Sequence, residues 1–295
     1  MCGVVGLFLK NQSLSPRLGD MLTDMLITMT DRGPDSAGIA IYGDPADGIK
    51  MTVQSDTPIQ AFDGLQQALS ETLGAAVTVR VVDTHAVITA PAEVEPALRA
   101  AIEERGLRLM GSGTRMEIFK EVGLPRDVAD RFGIRGMGGS HGIGHTRMAT
   151  ESAVTTLGAH PFSTAEDQCL VHNGSLSNHN QMRRKLAREG FFTKTENDTE
   201  VGATYISSRI AKGDSLGEAL EGTLRDLDGF FTFVTGTRDG FGVVRDPIAC
   251  KPAVLAETKD YVAFGSEYRA FANLPGIETA QIWEPEPATV YFWER

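Results

Sequence analysis

Cysteine is scarce in this sequence: three in 295 residues, at positions 2, 169 and 250. Thiols so few and so far apart build neither a disulfide framework nor a metal cluster. They fit a reducing compartment, so the expected location is the cytoplasm. Long apolar runs are missing too. No stretch of about 18 apolar residues occurs, and no charged N-terminal region leads into an apolar one, so neither a membrane span nor a secretion signal is expected. Basic residues are outnumbered, with 28 Lys and Arg against 39 Asp and Glu for a net charge of −11. That balance argues against nucleic acid and anionic membrane as partners. Internal repeats and low-complexity segments are absent. At 41% hydrophobic residues, the chain can bury an ordinary core as one large domain or two small ones.

What is present begins at the first six residues, Met1-Cys2-Gly3-Val4-Val5-Gly6. Once Met1 is removed, Cys2 carries both a thiol and a free α-amine. In model compounds the amine titrates at about 7.7–8.0 and the thiol near about 8.5, so the amine can take the thiol's proton. This is an activated nucleophile whose own N-terminus serves as base. The alternative is an incidental cysteine at a frayed start. Val4-Val5 and Leu7-Phe8-Leu9 flank it as a buried strand would.

Further along, Ser13 or Ser15 is expected to cap a helix from Pro16 to Met29, with Leu18, Met21, Leu22, Met25, Leu26 and Met29 at helical spacing. Ile39–Tyr42 resumes a strand. Residues 44–139 read as an inserted lobe of βαβ type: strands near 77–82, 86–89 and 107–110, a helical stripe from Val94 to Ile102, and a short helix from Leu124 to Phe132. It carries no catalytic motif and is expected to serve partner docking. The main domain is then 1–43 plus 140–295. In it, strand candidates at 143–147 and 169–172 precede helices at 180–189, 198–211 and 216–227. A meander of five strands runs from Phe230 to Phe292, with Asp239-Gly240 as a hairpin turn. Strands, then helices, then strands point to an α+β fold of two stacked sheets covered by helices.

Five motifs line up behind Cys2: Arg32-Gly33-Pro34-Asp35-Ser36-Ala37-Gly38, Gly144-His145-Thr146-Arg147, Ala159-His160-Pro161-Phe162, His172-Asn173-Gly174 and Asn197-Asp198-Thr199-Glu200. In this order they resemble the class II glutamine amidotransferases, the glutaminase domains of amidophosphoribosyltransferase, glucosamine-6-phosphate synthase, asparagine synthetase and glutamate synthase. Arg245-Asp246-Pro247, Lys251-Pro252 and Gly265-Ser266-Glu267 look like that family's closing hairpins. The match covers about residues 1–43 and 140–292. It implies a four-layer αββα N-terminal-nucleophile hydrolase sandwich of two mostly antiparallel sheets.

The resemblance also assigns roles. Cys2 would attack the amide, with Asn173 and the backbone N–H of Gly174 facing the oxyanion. Arg147 would take the α-carboxylate through a bidentate fork, Asp198 the α-ammonium, and Gly174 and Thr150 would line the glutamine. Arg32, Asp35 and His172 would support the nucleophile. Simpler readings stand beside these: Asp198 also suits a helix N-cap, His172-Asn173-Gly174 a plain turn, and Arg147 a surface ion pair. His145, His160 and His172 are each available as a base, but the family uses the α-amine, which makes them structural. Cys169 and Cys250 read as core or loop thiols. Two positions depart from the pattern: Met148 stands where many relatives have Trp, and Glu151 follows Ala149-Thr150 where the sugar-phosphate synthase has His.

The meander ends near Trp293 with no synthase or nucleotide-binding domain after it. The implied activity is therefore a glutaminase subunit that passes ammonia to a separate synthase chain. It looks most like the amidotransferase subunit of glutamate-synthase-like complexes such as N-methylglutamate synthase. No cofactor is expected in this chain; FMN and iron–sulfur clusters would belong to partner subunits. Two alternatives stay open, an independent amidohydrolase acting on another amide and a non-catalytic structural or regulatory subunit.

Overall fold

A computed structural model describes residues 2–149 and 153–295. The chain opens with β1 (Gly3–Leu9), α1 (Leu18–Ile27) and β2 (Ser36–Tyr42). It continues through β3 (Ile49–Gln54), α2 (Pro58–Phe62), α3 (Leu65–Leu73), β4 (Thr78–Val82), β5 (His85–Ala90), α4 (Glu95–Glu104) and β6 (Arg108–Gly113). Then come β7 (Met116–Val122), α5 (Pro125–Arg131), β8 (His141–Arg147), β9 (Phe162–Ala165) and β10 (Gln168–Leu176). Helices α6 (His179–Arg188), α7 (Asp198–Ala211) and α8 (Leu216–Asp226) follow. The meander is β11 (Gly229–Gly236), β12 (Gly240–Arg245), β13 (Val254–Glu257), β14 (Tyr261–Gly265), β15 (Gln281–Trp283) and β16 (Val290–Glu294).

Among the described residues these strands make three sheets. Seven run in the order β15-β13-β14-β1-β8-β2-β7, five in the order β16-β12-β11-β10-β9, and four in the order β4-β5-β3-β6. Every pairing is antiparallel. Period-two alternation sorts the layers. On β1, Val5, Leu7 and Leu9 join the cluster under α1, whereas Val4 and Phe8 join the cluster between the two large sheets. On β11, Phe231 and Phe233 turn toward α6–α8 while Val234 faces the first sheet. The result is the expected αββα sandwich. Its N-terminal strand is central in its sheet and completely buried, so the backbone from Gly3 onward is held in place.

The lobe differs from its expectation in extent and in topology. Met116–Val122 pairs with β2 from Ser36↔Val122 to Tyr42↔Met116. It therefore belongs to the seven-stranded sheet, and α5 contributes Val128 and Ala129 to the core under α1. The separate unit ends near Gly113, not 139. The charges of Glu117, Lys120 and Glu121 hid this strand in the sequence. Each is satisfied by a tertiary partner: Glu117 by Lys50 and Arg80, Glu121 by Thr84 and Thr156, Lys120 by backbone carbonyls. The remaining lobe is β-α-β-β-α-β, the split βαβ arrangement, with its own core around Met51, Leu69, Ile88 and Leu98. A simple βαβ would set parallel strands side by side; here β3 separates β5 from β6.

Local differences are small. Residues Gln12–Arg17 form a 3₁₀ turn before α1, and its cap is Asn11, whose side chain accepts from Ser13 N, not Ser13 or Ser15. No helix among the described residues is long and apolar enough to cross a membrane.

Candidate active site

One edge of the sandwich gathers the motifs. In the seven-stranded sheet, Gly3 on β1 pairs with Thr146 on β8, and Ser36 on β2 pairs with Arg147. Cys2, Asp35 and Arg147 therefore end neighbouring strands on the same side. From the facing sheet, β10 brings Asn173 and Gly174, and α7 starts at Asp198 beside it.

Cys2 is partly exposed, and its backbone is gripped from several directions. Its carbonyl accepts from Arg32 Nε at 3.0 Å and from Asn173 Nδ2 at 3.3 Å. Gly3 N donates to Thr146 Oγ1 at 3.2 Å, and Val4 N to Ser266 Oγ at 2.9 Å. A side chain at residue 3 would sit 2.6 Å from Met29 Cβ, so the residue after the cysteine has to be glycine. Arg32 is itself anchored by Glu267 at 2.7 Å. Asp35 accepts from Ala149 N at 2.8 Å, and its own N–H donates to the Arg147 carbonyl at 3.1 Å. Arg32 and Asp35 thus hold backbone around the cysteine.

Asp198 is not the N-cap of α7. Asn197 takes that role, its side chain accepting from Thr199 N. Asp198 Oδ2 instead accepts from Leu176 N at 2.9 Å, tying the carboxylate to the end of β10, and the side chain keeps 24% of its surface exposed. The cap reading therefore falls to Asn197, and the Asp198 carboxylate is left partly open to solvent. Arg147 is buried rather than on the surface, and its Nη1 donates to the Ala153 carbonyl at 3.2 Å. His172-Asn173-Gly174 is continuous strand paired to β11, not a turn. Gly174 has φ +147°, and a Cβ there would lie 2.0 Å from the Phe230 carbonyl oxygen. Thr150 and Glu151 lie outside the described residues, as does Met1; Met148 is exposed.

The three histidines form a buried cluster behind this edge. The His145 and His160 rings stack at 4.0 Å. His160 Nε2 and His172 Nδ1 share the Thr199 hydroxyl, at 2.8 and 3.1 Å. His145 Nε2 donates to the His172 carbonyl at 3.1 Å. Burial pushes all three below the usual imidazole value, His145 to about 3, so they are neutral at pH 7. Among the described residues none hydrogen-bonds Cys2, and their hydrogen bonds tie β8, β10 and α7 together.

Sequence reasoning missed three residues. Thr199 centres the histidine cluster. Lys120 is buried on β7 and donates to the carbonyls of Ala159 and Pro161 at 2.7 and 3.1 Å. Asp167 accepts from the backbone N–H groups of Thr114, Arg115 and Met116 at 2.8–2.9 Å, where the chain returns from the lobe. None of these roles has a local signature, since the partners that define them lie more than 25 residues away. Cys169 is buried and Cys250 exposed, both as free thiols.

The glutamine amidotransferase domain model matches residues 145–273. The chain is 65% identical over 297 residues to the glutamine amidotransferase-like protein GlxB of Rhizobium meliloti (strain 1021), covering 100% of this chain and 98% of that protein. It is 32% identical to a putative glutamine amidotransferase of Methanothermobacter thermautotrophicus, with both chains covered completely. Among solved structures, the glutamine phosphoribosylpyrophosphate amidotransferase from B. subtilis complexed with ADP and GMP superposes with a TM-score of 0.64 at 19% identity. That likeness is one of fold; it takes in 99% of this chain, which spans about half (47%) of the solved one. A strand that starts directly after Cys2 and lies buried at the centre of an αββα sandwich, and relatives matched from end to end, lead to one assignment: the chain belongs to the class II, N-terminal-nucleophile glutamine amidotransferases.

Proposed function

We propose that this chain hydrolyses L-glutamine to glutamate and ammonia at Cys2 and passes the ammonia to a separate synthase subunit. After Met1 is removed, the α-amine of Cys2 takes the thiol proton, and the thiolate attacks the side-chain amide carbon. Asn173 Nδ2 and the Gly174 N–H stabilise the oxyanion; one such donor is worth about 2.7–4 kcal/mol in other enzymes. The C–N bond then breaks, the α-ammonium returns its proton to the departing nitrogen, and ammonia leaves. Water hydrolyses the γ-glutamyl thioester to glutamate and frees the thiol. Asp198 pairs with the substrate ammonium and Arg147 with its carboxylate, and Thr150 is proposed as a further substrate contact.

The observation that carries this reading is the grip of Asn173 and Arg32 on the Cys2 carbonyl. It fixes a nucleophile and a candidate oxyanion donor relative to each other before substrate arrives, the preorganisation electrostatic catalysis needs. The acceptor is proposed to be a glutamate-synthase-like enzyme of the N-methylglutamate synthase kind, with FMN and iron–sulfur clusters on partner chains. The free thiols of Cys169 and Cys250 support work in the reducing cytoplasm.

Glutamine labelled with ¹⁵N in its amide tests the transfer. In the complex purified with its natural partners, the label is expected in the synthase product even when unlabelled ammonium is in excess. Label diluted into the bulk ammonium would mean that ammonia is released to water, and the proposed hand-off would be wrong.

A further inference from the structure

A cavity of about 260 Å³ lies where the inserted lobe meets the main domain, bounded by β6 and α4 on one side and by β9 and the start of α7 on the other. This is close to the range of small-ligand pockets, about 300–1,000 Å³, and such pockets favour junctions between units. None of Cys2, Arg147, Asn173, Gly174 and Asp198 lines it. Among the described residues its charged lining is Arg99, Lys120 and Lys194 against the carboxylate of Glu200, and Arg99 is also paired with Glu95 at 2.7 Å. In a chain of net charge −11, that is a local inversion of sign. Its apolar wall includes Leu109, Leu157 and Phe162.

Lys120 is the telling member. It is 4% exposed, and its ammonium donates to the carbonyls of Ala159, Pro161 and Leu157 at 2.7, 3.1 and 3.4 Å. Those acceptors satisfy its hydrogens but supply no countercharge. Among the described residues no carboxylate lies within ion-pair distance of it, because the Glu200 oxygens are taken by Lys194 N, Thr195 N and Thr195 Oγ1. Burial pushes the ammonium down to about 7, the more distant Glu200 partly offsetting the shift. A buried cation short of an anion, beside an apolar wall, suits one ligand chemistry. At the rim, Arg99 is already aimed by Glu95 and Ser112, both at 2.8 Å.

We propose that this cavity binds a small organic carboxylate with a short hydrocarbon body, and that the bound carboxylate adjusts the affinity for glutamine. The coupling has a short route. Lys120 gathers the carbonyls of Leu157, Ala159 and Pro161, and a Cβ on Gly158 in that segment would meet Arg147 Nη1 at 3.2 Å. Glu200 holds residues 194 and 195, just ahead of Asp198. The coupling, unlike the binding, rests on the proposed roles of Arg147 and Asp198.

Titration calorimetry on the full chain tests the site with 2-oxoisocaproate, 2-oxoglutarate and inorganic phosphate. The 2-oxo acids lack the α-ammonium that Asp198 would need, which keeps the readout off the glutamine site. One 2-oxo acid is expected to bind per chain, more tightly than phosphate, and equally well in Cys2→Ala. Lys120→Met and Arg99→Gln should each weaken it at least tenfold. Ser163→Trp, which fills the cavity and leaves Lys120 in place, should abolish it while the chain stays folded. With the acid bound, KM for glutamine should shift severalfold at unchanged kcat. No binding at millimolar concentration, phosphate binding as tightly, or binding that survives Ser163→Trp would overturn the site. Binding without any change in KM would overturn the coupling alone. Loss of glutaminase chemistry in the wild type would touch the active-site reading and leave the calorimetry standing.

Discussion

At the scale of single residues, the site depends on backbone held in unusual places. Gly174 shows this most directly, because an alanine there would need φ near +147° and would press its Cβ to 2.0 Å from the Phe230 carbonyl oxygen. Gly174→Ala should cost on the order of 1–3 kcal/mol from the backbone alone, with more from the clash, seen as a lower urea midpoint and a lost glutaminase rate. Asn173→Ala should instead leave stability nearly intact and lower kcat by about 10²–10³ with little change in KM. A rise in KM at unchanged kcat would mean Asn173 holds substrate rather than the oxyanion. Asn173 and Thr199 both sit in short contiguous motifs. What Thr199 does was nevertheless hidden, since its two histidine partners come from residues 160 and 172 and meet it only after folding. Buried His85, His141 and His145 add a pH dependence. Burial lowers each to about 3 in the folded protein, against about 6.5 unfolded. Folded values below unfolded ones mean stability that is complete above about pH 6.5 and lost as pH falls toward 3, up to about 2 kcal/mol per ring at pH 5. Urea midpoints should therefore fall between pH 7.5 and 5, and NMR should show no titration of these rings above pH 5. A ring titrating near 6.5 would refute this.

At the scale of elements, α1 and the turn at Asp167 carry different kinds of load. Helix α1 was legible because its apolar spacing points one face at the sheet, and that face is buried, including Leu22, Met25 and Leu26. Met25→Ala should cost about 2–5 kcal/mol, read from thermal or urea unfolding. Strand β7 was illegible for the opposite reason, its charges reading as surface until their partners are in place. Asp167 was hidden too, although it pins three successive N–H groups at the entry to β7 and takes Arg238 at 3.1 Å. Burial alone would raise its pKa; the hydrogen bonds outweigh that and hold it below the usual value. Asp167→Ala strands those donors and should cost about 3–5 kcal/mol, as when one partner of a buried charged pair is removed. A cost under about 1 kcal/mol, the scale of an ordinary hydrogen bond, would mean that water replaces the carboxylate.

At the scale of the whole molecule, the lobe is an insertion in a hairpin. Gly43 N donates to the Arg115 carbonyl at 3.1 Å and Ala46 N to the Thr114 carbonyl at 2.8 Å, so the chain leaves and re-enters the main sheet at one point. Replacing residues 44–114 by an Asn-Gly turn should give a plain β2–β7 hairpin and a chain that still unfolds cooperatively. An unfolded product would show the lobe to be part of the main core. The layer order was legible because alternating strands and amphipathic helices state which faces are buried. The insertion's true end was not, because only strand register separates β6 from β7.

The central claim, that Cys2 is a glutaminase nucleophile placed by the grip of Arg32 and Asn173 on its carbonyl, is tested most directly by glutamate release from L-glutamine. The assay compares wild type with Cys2→Ala, using chains shown by intact mass to lack Met1 and, for wild type, the complex with its natural partners. The account predicts release that disappears in Cys2→Ala at unchanged folding. Equal release from both, or none from the correctly processed wild type within its complex, would contradict it.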